Sequence, residues 1–438
     1  MTVMSRRRPE PRTGAQERRA ITTRRQAGST VALVLAGGRG SRLGPLTDRR
    51  AKPAMPFAGQ LKIIDFTLSN CINSGIRRVA VLTQYKAQSL IRHVTRGWGF
   101  LDAGLGEFVD VVPAQQRIDS GWYSGTANAV YQNLDMLRES DPRHVLVLAG
   151  DHVYKMDYST LLADHVRSGA DATVACIEVP IEQARDFGVM RIDDFGRVID
   201  FEEKPKHPRP VPGRPDRALA SMGIYVFNAA FLYRELDRDA AVDDSCHDFG
   251  RNILPRAVAH AHVHAHDFAN SCVGANGDAP YWRDVGTLDA YWEANMDLTR
   301  PLPELDLYDD DWPIRTLQHQ LAPAKFVFDD EGRRGMAIDS VVSSGCIVSG
   351  ATVRRSVLFS KARIGDGSLV EDSLVLPDAI VGRNVVLRRA IVDKRCVLPD
   401  GLKVGVHPAE DRARFVVTDK GVTLVTPDML AQLAPTRR

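Results

Sequence analysis

A short apolar run near the start of the chain breaks directly into glycines, and this pattern restricts the fold around it. Residues 31–36 read Val-Ala-Leu-Val-Leu-Ala, and Gly37, Gly38 and Gly40 follow at once. Six apolar residues are too few for a buried helix, so the run predicts a strand buried on both faces of a parallel sheet. Glycines after such a strand let backbone N–H groups converge on phosphate oxygens, so the loop predicts a phosphate-binding site.

Two cationic residues close to this loop indicate which phosphate ligand it binds. Arg42 offers a planar guanidinium and Lys52 a mobile ammonium, a combination that suits a nucleoside triphosphate. The dinucleotide-binding pattern G-x-G-x-x-G does not fit, because Leu43 stands at its third glycine. The P-loop pattern fails as well, because no Gly-Lys-Ser/Thr follows. The sequence therefore predicts a triphosphate loop of a different type.

A strand-helix-strand unit is predicted directly after the loop. Ile64, Leu68, Cys71 and Ile72 recur at helical spacing, and an apolar strand follows at 78–83. This order is typical of a βαβ unit in a parallel sheet, whose ligands bind at the carboxyl ends of the strands. The unit therefore places the glycine loop at the binding edge of the sheet.

Another buried strand, at 144–150, ends at Asp151. A carboxylate at the tip of a parallel strand, facing a triphosphate loop, suits Mg²⁺, and a helix N-cap is the alternative. We pair Asp151 with the later carboxylate of Asp284 as a second metal ligand. Polar residues near other strand ends suit contacts to a base or a sugar, or form ordinary polar loops: Gln84, Gln115, Tyr123, Gly125 and Thr126.

Composition and charge describe a globular protein of two domains. The chain has 438 residues, 44% hydrophobic and 26% charged, with a net charge of only +2. That balance predicts no nucleic-acid partner, and no apolar run approaches the ~18 residues that a membrane span needs. The Arg-rich segment 1–29 predicts a disordered basic tail, or alternatively an organellar transit peptide. Six scattered cysteines predict reduced thiols and a cytoplasmic location.

The C-terminal part of the chain carries a different pattern. From Ile338 onward, short apolar pulses recur about every six residues, as at Ile364 and Val370. This period predicts a parallel β-helix, with an irregular antiparallel β domain as the alternative. We therefore expect a catalytic domain at 30–300, a linker region at 301–330, and a regulatory and oligomerisation domain at 331–438.

Ten separate segments match the motifs of one known family. They lie at 35–43, 50–54, 63–66, 68–78, 113–117, 148–152, 187–190, 203–205, 221–225 and 281–287. With these motifs the chain resembles the bacterial glucose-1-phosphate adenylyltransferases. The resemblance implies an α/β, Rossmann-like catalytic domain with a mixed, mainly parallel sheet, and a C-terminal left-handed parallel β-helix. It also implies a homotetramer that uses Mg²⁺ to form ADP-glucose and pyrophosphate from ATP and α-D-glucose 1-phosphate, for glycogen synthesis.

The resemblance also assigns roles to individual residues. It places Arg42 and Lys52 on the ATP phosphates and Asp151 and Asp284 on Mg²⁺. It places Lys204 on the sugar phosphate, together with four further residues of the glucose 1-phosphate site: Tyr123, Gly188, Glu203 and Ser221. Such a reaction needs positioning and charge neutralisation, and it needs no general base because the attacking phosphate is already ionised.

Regulation by sugar phosphates is a further expectation from the resemblance. Arg49 and Lys62 stand where relatives bind anionic effectors, whereas Pro56 and Glu139 replace cationic residues. Pro56 offers no side-chain donor and Glu139 would repel phosphate. The sequence therefore predicts activation by a sugar monophosphate rather than a bisphosphate.

Three other functions compete with this interpretation. A related enzyme that makes UDP- or dTDP-glucose would differ only in its base contacts. A bifunctional acetyltransferase would need a longer β-helix. A regulatory subunit without activity would not need Arg42, Lys52, Asp151 and Lys204 together.

Two further patterns carry less weight. Asp-Phe-Gly occurs at 186, 194 and 248, but the other protein-kinase motifs do not accompany it. Histidines alternate along 260–266, which supplies a single row of metal ligands with no evident carboxylate partner.

Overall fold

The computed structural model describes residues 25–38, 40–114, 122–277, 279–330 and 332–433. The predicted basic tail therefore lies outside the described residues except for 25–29. Residues 25–28 form a helical turn, so the prediction of disorder is wrong for this part of the tail. Gln115 lies outside the described residues as well. Within the described residues an α/β unit is followed along the chain by a repetitive β unit.

A mixed sheet of nine strands forms the centre of the α/β unit. The strands of this unit, in chain order, are β1 Thr30–Leu35, β2 Pro56–Phe57, β3 Leu61–Lys62, β4 Arg78–Thr83, β5 Phe108–Pro113, β6 His144–Ala149, β7 His152–Tyr154, β8 Ala172–Pro180, β9 Gly188–Ile192, β10 Val198–Glu203, β11 Arg217–Asn228, β12 Val263–Asp267 and β13 Trp282–Asp284. The main sheet runs β10-β9-β11-β6-β1-β4-β5, with β8 on β11 and β12 on β8. Strands β6, β1, β4 and β5 are parallel, so their carboxyl ends meet at one edge.

Besides the helical turn at 25–28, the described residues form ten α-helices, of which eight belong to the α/β unit and the last two lie beside strands of the repetitive unit. They are α1 Ile63–Asn73, α2 Gln88–Gly97, α3 Thr126–Tyr131, α4 Leu134–Ser140, α5 Tyr158–Ser168, α6 Ala229–Ala240, α7 Leu254–His260, α8 Leu288–Asp297, α9 Pro408–Arg414 and α10 Pro427–Leu433. A π-helical turn, Phe249–Ile253, leads into α7. Among the described residues, none of these helices has the length and apolar character that crossing a membrane requires.

The strand and helix predicted around the glycine loop are confirmed. Strand β1 is almost fully buried along its length, as its unbroken apolar sequence predicts. The four apolar residues predicted to share one face of α1 are all buried. The helix ends at Asn73, two residues before Gly75, which takes a left-handed φ of 81° that favours glycine over residues with a side chain.

The repetitive unit is a parallel β-helix, as the period of about six residues predicts. Its strands are β14 Lys325–Val327, β15 Asp329–Asp330, β16 Arg333–Arg334, β17 Met336–Ile338, β18 Val341–Val342, β19 Ile347–Ser349, β20 Thr352–Arg354, β21 Val357–Leu358, β22 Arg363–Ile364, β23 Leu369–Glu371, β24 Leu374–Val375, β25 Ile380–Val381, β26 Val386–Arg388, β27 Ala390–Val392, β28 Val397–Leu398, β29 Lys403–Val404, β30 Val416–Val417 and β31 Thr423–Val425. They form three parallel stacks, β14-β19-β22-β25-β28, β17-β20-β23-β26-β29 and β18-β21-β24-β27-β31, with β30 antiparallel on the last.

The apolar pulses of the sequence form the interior of this β-helix. Ile364, Val370, Val381 and Leu387 are all buried, so each turn covers the apolar row of the next. The first strand of the stack, β14, lies inside the segment that the sequence predicts as a linker region. The antiparallel alternative for this part of the chain is therefore wrong.

The two units pack against each other through one shared apolar cluster. Phe57 and Tyr291 of the α/β unit belong to the same buried cluster as Phe359 of the β-helix. Next to it, Arg50 and Asp393 form a buried pair with two hydrogen bonds of 2.9 Å. These contacts hold the segment just before Lys52 against the β-helix.

Candidate active site

A cavity of about 720 Å³ lies at the carboxyl ends of the parallel strands. Many of the residues predicted to bind nucleotide, metal or sugar line it: Gly37, Gly38, Gly40, Lys52, Gln84, Tyr123, Gly125, Thr126, Asp151, Glu203 and Lys204. They come from segments far apart in the sequence and meet because parallel strands end at a common edge.

The glycine loop is packed closely against the residues that follow it. Gly40 has a left-handed φ of 63°, and a Cβ placed there would lie 3.2 Å from the Cβ of Lys52. A Cβ on Gly37 would lie 3.3 Å from the Cβ of Gln84. Because glycine has no side chain, Gly37 and Gly40 let the loop lie this close to Gln84 and Lys52.

Lys52, Asp151 and Asp284 form the charged centre of the site. The Lys52 ammonium donates to Asp151 Oδ2 at 3.0 Å and to Asp284 Oδ1 at 2.7 Å. Strand β13 pairs with β7, and this pairing brings Asp284 to Asp151 across 133 positions of sequence. The structure thus brings together the two carboxylates that the sequence analysis paired.

These three groups hold one another in their charged forms. Burial alone would lower the pKa of Lys52, but Asp151 and Asp284 outweigh it and the pKa is raised. Burial would raise the pKa of Asp151, but the Lys52 charge outweighs it and lowers this pKa to about 2. The pKa of Asp284 is lowered in the same way. The site therefore presents two carboxylates and one ammonium at neutral pH.

The donor set of this centre fits a divalent cation. Among the described residues, one group of His, Cys, Asp and Glu side chains is placed to hold a metal ion, and it consists of Asp151, His152 and Asp284. Their candidate ligand atoms all lie within 4.8 Å of one another. Carboxylate oxygens at this spacing suit a hard cation such as Mg²⁺. The alternating histidines of 260–266 do not belong to such a group in the described residues; His266 instead pairs with Asp164 at 2.7 Å.

Arg42 lies beside this centre but outside the main cavity. Its Nη2 atom is 3.3 Å from Asp284 Oδ2, and its side chain is 54% exposed. Arg42 and Asp284 line a neighbouring cavity of about 1010 Å³. Its Nη1 atom also lies 3.8 Å from Asp186 Oδ1, so the guanidinium bridges two carboxylates beside the site.

Three of the predicted sugar-phosphate residues line the 720 Å³ cavity and form its sugar-phosphate wall: Tyr123, Glu203 and Lys204. Gly188 and Ser221 do not line it. Glu203 faces Gly188 across the β9–β10 pair, and a Cβ on Gly188 would lie 2.8 Å from Glu203 Oε2. Burial raises the pKa of Glu203. Lys204 is half exposed and lies 3.7 Å from Glu203 Oε1. Ser221 is on β11, where its hydroxyl is 3.5 Å from that of Tyr225.

Sequence reasoning missed part of this wall. Residues 248–250, the third Asp-Phe-Gly, line the cavity although the pattern looked uninformative in the sequence. Thr126 donates to Asp248 at 2.9 Å, and a Cβ on Gly125 would lie 2.2 Å from the carbonyl oxygen of His247. Periodicity and spacing contain no signal for this contact, because it joins two loops that are distant in sequence. Tyr225 also lines the cavity and was missed, although it lies on β11 within the matched segment 221–225.

A second, strongly cationic cavity of about 560 Å³ lies between the two units. Eight lysine and arginine side chains line it against only two carboxylates, Asp378 and Asp393; the cations are Arg49, Arg50, Lys62, Arg92, Arg96, Lys361, Lys394 and Arg395. The two residues predicted to bind an effector are thus brought together. Burial lowers the pKa of Lys62 to about 8.

Two features of this cavity differ from the sequence analysis. Glu139 is exposed on α4 and does not line the cavity, so the reasoning that it repels an effector phosphate is wrong here. Arg49 is already paired with Asp428, through contacts of 2.7 and 2.9 Å. An anion that uses Arg49 must therefore compete with a carboxylate of the chain itself.

Comparison with known proteins agrees with this geometry. The family model described as nucleotidyl transferase matches residues 31–301, and a model described as the GlmU-like C-terminal hexapeptide matches 322–425. The glucose-1-phosphate adenylyltransferase of Nitrosomonas europaea is 61% identical over 92% of this chain and 94% of its own. Those of Dechloromonas aromatica and Paramagnetospirillum magneticum are 60% and 59% identical, over 92% of this chain and 92% and 95% of their own.

The chain belongs to the glucose-1-phosphate adenylyltransferase family. It is therefore an enzyme, a nucleotidyltransferase, and the family resemblance stated from its motifs is confirmed. The hexapeptide match, together with the three parallel stacks, also confirms the predicted left-handed β-helix. Members of this family act on a nucleoside triphosphate and a sugar phosphate, and they generally use a divalent metal.

Proposed function

We propose that ADP-glucose forms in the cavity at the carboxyl edge of the sheet, from ATP and α-D-glucose 1-phosphate. The observation that carries this proposal is the charged centre of Lys52, Asp151 and Asp284 beside the glycine loop. A sugar-phosphate wall lies across the same cavity, with Glu203 and Lys204. One cavity thus offers places for both substrates, as a direct transfer between them requires.

The reaction is a displacement at the α-phosphorus of ATP. An oxygen of the glucose 1-phosphate forms the new bond to phosphorus, the bond to the bridging oxygen breaks, and pyrophosphate leaves with that electron pair. The attacking oxygen is ionised at neutral pH, so the chain needs no base to remove a proton. Its residues act by orienting the two phosphates and by offsetting the charge that builds up between them.

Each side of the cavity has a distinct task in this proposal. The N–H groups of the glycine loop, with Lys52 and Arg42, bind the ATP phosphates. Gln84, Thr126 and Gly125 border the space for the nucleoside, and Gln115 stays a prediction. Lys204 binds the sugar phosphate, while the glucose is contacted by Tyr123, Gly188, Glu203 and Ser221.

We assign Asp151 and Asp284 as the residues that hold Mg²⁺. Two ionised carboxylates with oxygens within 4.8 Å of His152 form a donor set that fits a hard divalent cation. When bound there, the ion supplies charge neutralisation to the phosphates. Lys52 keeps the two carboxylates together in the same place, so the ligands are positioned before the cation binds.

The cationic cavity between the two units is the proposed site for a sugar-phosphate effector. Charge-assisted hydrogen bonds from Arg49 and Lys62 suit a phosphate group, and the neighbouring cations add to the attraction. Arg50 joins this cavity to the active site, because it lies two residues before Lys52 and is held by Asp393. An effector bound in this cavity therefore shifts Lys52 through Arg50.

The chain's assembly and location complete the proposal. Ile380 and Val397 pair in register on the outer face of the β-helix and are 41% and 62% exposed, which supports burial of this face in a homotetramer. All six cysteines are free, which supports a reducing cytoplasmic location. Sedimentation of the Ile380→Glu, Val397→Glu double variant should give a smaller species than the wild type.

One assay tests the proposed reaction directly. Purified protein with Mg²⁺ and glucose 1-phosphate is supplied with ATP, UTP, dTTP or GTP in turn, and pyrophosphate release is measured. The proposal expects the fastest release with ATP. Faster release with UTP or dTTP would assign the chain to a different sugar nucleotide.

A further inference from the structure

His152 completes the metal-holding group with Asp151 and Asp284, and the proposed mechanism gives its imidazole no role. It opens strand β7 directly after Asp151, and the pairing of β7 with β13 places it opposite Asp284. Residues that face each other across an antiparallel pair project from the same face of the sheet. The backbone thus aims His152 at the same point as the second carboxylate.

The imidazole lies at ligand distance from both carboxylates. Its Nε2 atom is 3.7 Å from Asp151 Oδ1 and 4.0 Å from Asp284 Oδ1. Both separations are too long for hydrogen bonds. Ligand atoms that share one ion at about 2.1 Å lie roughly 3–4.2 Å apart, so the spacing fits a common cation.

The two oxygens of Asp151 divide the site into two sides. Oδ2 accepts from Lys52 at 3.0 Å, whereas Oδ1 faces His152. A cation on the histidine side therefore does not require Lys52 to leave Asp151 Oδ2. At Asp284 one oxygen, Oδ1, both faces His152 and accepts from Lys52 at 2.7 Å, so a cation there shares this oxygen with Lys52.

The surroundings of the ring supply a second observation. His152 is only 14% exposed, and its Nδ1 atom is buried with no hydrogen-bond partner among the described residues. Its ring packs edge-on against Trp282, with centroids 5.0 Å apart, which fixes the ring plane. The ring is mostly buried and held in one orientation, and it faces two carboxylates without a hydrogen bond to either. Such an imidazole is unusual unless it binds a ligand or an ion.

We propose that Nε2 of His152 is a third ligand of the divalent cation held by Asp151 and Asp284. The site then presents one nitrogen and two oxygens rather than carboxylates alone. This inference rests on the proposed metal site. A nitrogen donor also widens the range of metals, because imidazole favours Mn²⁺ and Co²⁺ over Mg²⁺ more than carboxylate does.

Pulsed electron paramagnetic resonance of bound Mn²⁺ tests the nitrogen ligand without measuring catalysis. Mn²⁺ is added to the full-length protein with pyrophosphate, which contains no nitrogen, so any ¹⁴N modulation comes from the protein. The wild type should show the modulation of a coordinated imidazole, and His152→Asn should lose it. His407→Asn, at an exposed histidine on the β-helix side of the chain, should retain it.

The affinity for Mn²⁺ gives a second measurement. Replacing a residue that only hydrogen-bonds to a metal ligand typically costs about 10–100-fold in metal affinity. Loss of a ligand itself, in His152→Asn, should therefore weaken Mn²⁺ binding by about tenfold or more. Wild-type Mn²⁺ without ¹⁴N modulation, or modulation that persists in His152→Asn, would overturn the assignment of His152. If Asp151→Asn leaves Mn²⁺ binding unchanged, the metal site itself is wrong and the inference falls with it.

Discussion

Replacing Lys52 by methionine should destabilise the protein in a way that divalent cations reverse. Lys52 is 6% exposed and bridges Asp151 and Asp284, whose nearest candidate ligand oxygens lie within 4.8 Å. Methionine keeps much of the side-chain volume but removes the charge. The two carboxylates would then face each other without a counter-ion.

The size of the effect follows from these distances. Two unit charges 4.8 Å apart repel each other by about 3 kcal/mol at an effective dielectric constant of roughly 20. Asp151 is 35% exposed, so solvent reduces this, and about 2–3 kcal/mol is the expected loss in the free energy of unfolding. A bound Mg²⁺ would replace the missing positive charge and recover most of that loss.

The pH dependence of the loss has a definite sign. In the wild type the pKa of Asp151 is lowered to about 2, so its stabilising contribution is present at neutral pH and is lost as pH falls toward that value. Without Lys52, the carboxylate pair should hold a proton at higher pH, which relieves the repulsion. The difference in stability between Lys52→Met and the wild type should therefore narrow in acid.

Thermal unfolding in EDTA and in excess Mg²⁺ measures this prediction. In EDTA, Lys52→Met should unfold at a lower temperature than the wild type. Excess Mg²⁺ should raise the unfolding midpoint of Lys52→Met by more than it raises that of the wild type. Lys403→Met, at an exposed lysine of the β-helix, is the matched control and should follow the wild type. Equal midpoints in EDTA, or equal Mg²⁺ shifts, would refute the reasoning.

Three further predictions concern the substrate and effector sites. Lys204→Ala should raise the KM for glucose 1-phosphate about tenfold or more while the KM for ATP stays constant; initial rates that show equal rises would contradict the role of Lys204. Asp428→Asn removes the exposed carboxylate that competes for Arg49, so activation titrations should show about two- to fivefold tighter effector binding. An unchanged effector concentration at half-maximal activation would count against the effector site. Burial lowers the pKa of Lys62 to about 8, so this lysine loses its charge as pH rises through that value, and effector affinity should fall. An effector affinity that stays constant from about pH 7 to 9 would disprove the role of Lys62.

The predicted site residues that the structure brings into one cavity are mainly those that follow strand ends. Gly37, Lys52, Gln84 and Asp151 each come just after a buried strand or its loop, and parallel strands end at one edge. The apolar runs of the sequence are sufficient to locate residues of this kind at the binding edge of the sheet. The six-residue period of the β-helix is equally local, because each turn packs only against its neighbours.

The parts that the sequence could not supply depend on contacts between distant loops. Residues 248–250 reach the cavity because their loop packs on Gly125, and no periodicity connects these segments. The cations of the effector cavity come from the segment before Lys52, from β3, from α2 and from turns of the β-helix. Glu139 was misplaced for the same reason, since its position in the sequence does not show which side of the sheet α4 covers.

If Asp151 and Asp284 form the catalytic metal centre, the rate of ADP-glucose formation depends on both carboxylates. Initial rates are measured in excess Mg²⁺ for Asp151→Asn, Asp284→Asn and the exposed control Asp194→Asn. Loss of several kcal/mol of charge stabilisation predicts a fall of about 100-fold or more for each of the first two, and wild-type turnover for the control. Near-wild-type turnover in Asp151→Asn would contradict the account.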